Sequence, residues 1–230
     1  MATAWWETEA FRFYAVLGGC ILGMYIPKLG RYFRMLATMV HEGGHVLSAL
    51  LLGEKPKKVS LFGDTSGLAL VQTTASWKAF FIALAGYPFP PLMAFCSFWA
   101  LDNGWIVEYL WIVLVLSAIF LLCYIRNPFG VFWSLSFIAL HLLVVFKAPV
   151  FWMAMLARLD ATVILVDAVG ACLQLVRIAF RSPESSGDAC NISLITRIPP
   201  QVTALAFTAF AIYMDACCVL RFFPLPAFIT

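Results

Sequence analysis

The stretch Thr38-Met39-Val40-His41-Glu42-Gly43-Gly44-His45-Val46-Leu47 sits inside an apolar run from about Tyr32 to Leu52 and contains an HExxH pattern. On a helix, residues four apart lie about 40° apart around the axis and one turn apart along it, so His41 and His45 can offer two imidazoles to one metal ion. Glu42 falls on the flank of that pair. There it can take a proton from a water, the general-base part that this spacing plays in zinc hydrolases. An ionisable group deep in a membrane span costs on the order of 3 kcal/mol, so three within five residues need a metal, a partner or water as compensation. A lone His on an apolar helix is usually a hydrogen-bonded core residue. Here two of the chain's three histidines stand at metal spacing with a Glu between them, which favours a metal site over a structural cluster or a haem-type use.

Outward from this motif, the 230 residues are 63% hydrophobic and 12% charged, with a mean hydropathy of +0.93. That composition excludes a water-soluble domain and predicts a single all-α polytopic membrane domain over residues 1–230, in contact with the lipid bilayer throughout. The net charge of +3 resides mainly in short stretches between apolar runs. Such stretches suit lipid headgroups, and with no basic arm present they argue for no nucleic-acid partner. The first ten residues lack a basic leader, so the first apolar run is expected to be a retained span. Seven scattered Cys without a CxxC pair suggest neither a thiolate zinc site nor a disulfide framework.

Apolar runs at about 11–26, 32–52, 77–101, 104–124, 131–146, 148–179 and 202–222 predict about seven transmembrane helices. His41 then lies roughly 14 Å along the second helix, near mid-bilayer. Residues 54–58 read as a solvated basic turn. After them, two β-type runs flank Gly63-Asp64-Thr65-Ser66-Gly67 and predict a short β-hairpin following the HExxH helix. Its free edge could pair with an unwound substrate segment, which matters because a helical peptide bond is closed to attack. Pro88, Pro90 and Pro91 predict a kink in the third span. Arg158 with Asp160 reads as an interfacial pair, His141 as a hydrogen-bonded interior histidine, and residues 181–189 as a polar loop.

A catalytic zinc takes three protein ligands and leaves a fourth position for water. The candidates for the third are Asp188, Asn127, Asp64, Asp167 and His141. A carboxylate is the better donor, because it lowers the site's net charge and binds zinc more readily than an amide. Asn127 suits another task, orienting a ligand or steadying the oxyanion formed when water attacks a carbonyl.

Taken in order, the buried HEGGH, Asp64-Thr65-Ser66-Gly67, Ala85-Gly86-Tyr87, Arg126-Asn127 with Gly130, and Asp188-Ala189 followed by Leu194, Thr196 and Pro199 resemble the small actinobacterial branch of the site-2 protease family, over about residues 30–215. The resemblance implies an intramembrane metalloprotease with a Zn2+ cofactor, His41 and His45 as ligands and Glu42 as base. Its substrate would be a transmembrane protein cut within or beside its span, and its place the cell membrane, as a multi-pass protein. Better-known members draw the third ligand from an Asn-Pro-Asp-Gly-like segment, where this chain has Phe129 in the Asp position. A Ser-Asp-Ala-type segment of the branch matches Ser186-Gly187-Asp188-Ala189 with one inserted Gly, which carries the role to Asp188. Expected from all this is a zinc endopeptidase with metal ligands His41, His45 and Asp188 and catalytic residues Glu42 and Asn127. The rival is a non-proteolytic scaffold or chaperone that retains the fold. A transporter fits less well, because the polar groups gather in one span and two loops instead of lining a path.

Overall fold

In hydrocarbon every backbone N–H and C=O must find its partner within the segment, and the long apolar runs of this chain accordingly form helices. The computed structural model describes residues 9–223. Among these, nine α-helices and one hairpin follow in the order α1 (Glu9–Met24), α2 (Leu29–Leu51), β1 (Lys55–Leu61), β2 (Gly67–Gln72), α3 (Ser76–Ala85), α4 (Phe89–Asp102), α5 (Ile106–Cys123), α6 (Pro128–Lys147), α7 (Val150–Arg181), α8 (Asp188–Thr196) and α9 (Pro200–Phe222). Helices α5, α6, α7 and α9 are each long and apolar enough to cross a membrane. The pairs α1–α2, bent by 98°, and α3–α4, bent by 46°, raise the number to six if each is one span. The seven runs of the sequence thus become four to six spans, the first two runs being arms of one sharply bent pair. At that bend Gly30 lies directly on Met24, where a Cβ would stand 1.8 Å from the Met24 carbonyl oxygen.

Helix α7 is the axis of the bundle and packs against α1, α2, α4, α5 and α9. Its buried Ala161, Ala168 and Leu175 recur every seven residues, as do Ala204, Ala211 and Cys218 on α9. These mostly small side chains let the two helices approach closely. Asp160 is fully buried and bonded to His141 at 2.9 Å, which ties α7 to α6 and corrects its reading as half of an interfacial pair with Arg158. His141 is the interior hydrogen-bonded residue expected, its Nδ1 donating to the Phe137 carbonyl at 2.9 Å.

The hairpin is antiparallel, runs from Lys55 opposite Gln72 to Leu61 opposite Gly67, and carries an irregularity between Pro56 and Lys58. The basic turn expected at 54–58 is therefore mostly strand. Its outer β1 edge is covered: Val59 N–H donates to Tyr124 O (2.8 Å) and its carbonyl accepts from Arg126 N–H (3.2 Å). With Val59 facing outward, alternation turns Lys58 and Ser60 toward β2 and leaves Gly67, Ala69 and Val71 showing their backbone groups on the open β2 edge. Among the described residues the free edge of the hairpin is thus β2 alone.

Candidate metal centre

Arg34, Thr38, His41, Glu42 and His45 recur at helical spacing and share one face of α2. Gly44 lets the end of α3 lie on that face, since a Cβ there would come within 2.6 Å of the Ala85 carbonyl oxygen. The chain then breaks at Gly86, Tyr87 and Pro88, and Gly86 is pressed so closely on the imidazoles that a Cβ would meet the His45 ring at 2.5 Å and the His41 ring at 2.8 Å. The break also frees carbonyls at the end of α3. One of them, on Ile82, accepts from His45 Nδ1 at 2.7 Å. A carbonyl only accepts, so Nδ1 carries the proton and Nε2 is left with its lone pair, the tautomer a metal requires.

The two Nε2 atoms stand 3.2 Å apart, and Asp188 Oδ2 lies 3.4 Å from that of His41 and 3.2 Å from that of His45. Donors about 2.1 Å from a tetrahedral zinc are themselves about 3.4 Å apart, so the three residues fit that ion. Asp188 comes from the stretch expected to be a polar loop. Instead, residues 183–185 form a tight turn, Gly187 takes φ +50°, and Asp188 opens helix α8. Buried Ala189 and Ile192 seat α8 in a cluster with Ala83, Ala204 and Phe207, which carries Asp188 to the depth of His41. Burial alone would raise the Asp188 carboxyl, but the two imidazoles outweigh it and hold the group below the usual carboxylate range.

Glu42 is buried beside the histidines, and the Ala69 backbone amide on the open β2 edge faces its carboxylate. Gly67 leaves room for it, as a Cβ there would stand 2.4 Å from Glu42 Oε1. Thr38 Oγ1 donates to Thr65 O at 2.7 Å and holds the hairpin turn over α2. Two cavities meet at this point. The larger, about 520 Å³, runs along β2 and includes Asp188; the smaller, about 230 Å³, extends toward Arg34 and Asp167. His41, Glu42, Gly67 and Tyr87 line both.

The remaining candidates are engaged with other partners. Asn127 is gathered onto β1, its Oδ1 accepting from Leu61 N–H (3.0 Å) and its Nδ2 donating to Leu61 O (2.6 Å), and it lines neither cavity. Asp64 accepts from the Ser66 N–H and hydroxyl on an exposed turn, and Asp167 pairs with Arg34 at 2.6 Å. Gly86, Gly67, Thr38 and Tyr87 were not singled out as site residues by spacing. A Gly-Tyr pair immediately before a Pro-broken helix, and a Thr one turn before His41, were the signals available.

No curated protein and no solved structure matches the chain. The Peptidase M50B-like family model matches residues 14–218, a stretch that takes in α2, the hairpin, the α3–α4 break and Asp188. With that match over most of its length, the chain belongs to the Peptidase M50B-like family, the membrane metallopeptidases of the site-2 protease type.

Proposed function

We propose that this protein is a zinc-dependent endopeptidase of the cell membrane that hydrolyses a peptide bond within or beside the transmembrane segment of a membrane-tethered protein. The observation that carries the reading is the convergence of His41, His45 and Asp188 next to a buried Glu42. A zinc ion held by these three would act as a Lewis acid on the scissile carbonyl and make an attacking water more acidic. Glu42 takes the proton from that water and returns it to the leaving amine. The open β2 edge supplies the substrate's place: an unwound segment pairs with the backbone of Gly67 and Val71 and with the Ala69 carbonyl, and lays its own carbonyl across the Glu42 side of the centre. Asn127, bonded at both ends to Leu61, serves by fixing the hairpin.

The test uses protein reconstituted in liposomes with a library of single-span peptides, cleavage being read by mass spectrometry and zinc by metal analysis. Expected are cleavage by the wild type, its loss in Glu42→Gln with zinc retained at about one per chain, and loss of both in His45→Ala and Asp188→Ala. Wild-type protein that stays metal-free when zinc is supplied overturns the reading. A non-proteolytic scaffold would be indifferent to Glu42→Gln.

A further inference from the structure

Attack of water on a peptide carbonyl forms a C–O bond and moves the carbonyl π electrons onto oxygen. That oxyanion needs donors already in place. Asn127 is committed to Leu61, Thr38 to Thr65, and the His45 Nδ1–H to Ile82. Four residues line both cavities, at the junction an extended substrate has to cross. Of these, His41 and Glu42 are occupied by metal binding and base catalysis, and the backbone groups of Gly67 on the β2 edge are those that pair with the substrate strand. Tyr87 is the fourth.

Its ring is fixed from two sides, edge-on to His41 at 4.7 Å and stacked on Phe207 at 5.2 Å. Pro88 next in the chain restricts its backbone. Among the described residues its hydroxyl has no hydrogen-bond partner, and the half-buried phenol is accessible from the cavities it lines. Its edge-on contact with His41 and its place with Glu42 on the lining of both cavities set the ring at the junction, on the side of the metal ligands and the base.

We propose that Tyr87 is a catalytic residue whose hydroxyl donates a hydrogen bond to the oxyanion developing on the scissile carbonyl. The inference rests on the endopeptidase reading. Tyr87 keeps its proton throughout: Glu42 receives the proton of water, the C–N bond breaks with its electron pair going to nitrogen, and Glu42 protonates that nitrogen. The hydroxyl strengthens its bond only as charge builds on oxygen, so it acts on the transition state and little on bound substrate.

Tyr87→Phe keeps the ring and both of its aromatic contacts, so the scaffold is retained. With a library peptide that the wild type cleaves, kcat should fall about 100- to 1,000-fold with KM nearly unchanged. Zinc content should stay at the wild-type level. Affinity for a phosphinic peptide, a tetrahedral mimic of the attacked carbonyl, should fall with kcat, whereas binding of the uncleaved peptide to the double variant with Glu42→Gln should match Glu42→Gln alone. An unchanged kcat in Tyr87→Phe, a change in KM alone, or a fall in kcat accompanied by loss of zinc each overturns the proposal while leaving the endopeptidase reading standing. A zinc-loaded wild type that cleaves no peptide of the library overturns both.

Discussion

A single methyl group is enough to test the centre. Gly86 lies on both imidazoles, and a Cβ would intrude to 2.5 Å on one ring while its backbone neighbours are held by the Pro-broken helix. Gly86→Ala is expected to displace the rings and strip the zinc, read as metal per chain in folded protein. Protonation gives a second test at this scale. Because the folded Asp188 carboxyl is held below its ordinary value, its contribution to stability is fully present above the unfolded value of about 3.9 and is lost as pH falls through the lower folded value. Zinc held as proposed should leave earlier, since metal binding by such ligands is coupled to proton release. Equilibrium dialysis from pH 8 to pH 5 should therefore show zinc released as the pH falls, with the fold intact by circular dichroism.

Among the elements, the hairpin and α8 matter most: the hairpin, which directly follows α2, lays β2 beside Glu42, and α8 brings Asp188 to the histidines from the far part of the chain. Asn127 closes the outer edge of β1 by satisfying both backbone groups of Leu61, which is fully buried. Asn127→Ala leaves those groups without partners at a cost of about 1–3 kcal/mol, seen as a lowered unfolding midpoint with zinc retained. On the opposite edge, Val71→Pro removes an N–H from the side offered to substrate. It should raise KM with the metal content unchanged, and an unaltered KM would count against strand pairing at β2. Helix α8 depends on its entry: Gly187 takes φ +50°, a conformation that strains any side-chain-bearing residue, and its replacement should shift Asp188 and weaken zinc binding.

At the scale of the whole molecule, the bundle is held around α7, and its most consequential polar contact is remote from the metal centre. His141 and Asp160 are both fully buried, so His141→Ala strands a carboxylate among α6 and α7. A loss of about 3–5 kcal/mol is expected, measurable as a drop in thermal midpoint, with the zinc stoichiometry of the folded fraction unchanged. The membrane class, the helical content, the hairpin and the pairing of His41 with His45 across one helical turn were all legible in the sequence, because each rests on local periodicity or composition. Span number was less so: hydropathy locates apolar runs but is blind to the 98° bend that makes two of them a pair. The approach of Asp188 to the histidines, the capture of Asn127 by Leu61, the choice of β2 as the open edge and the seating of Tyr87 over His41 were decided only by tertiary structure. They join residues from 46 to 147 positions apart. Residue type and spacing say which side chains can do chemistry; helix packing and the backbone bonds spent elsewhere determine which of them remain free to do it.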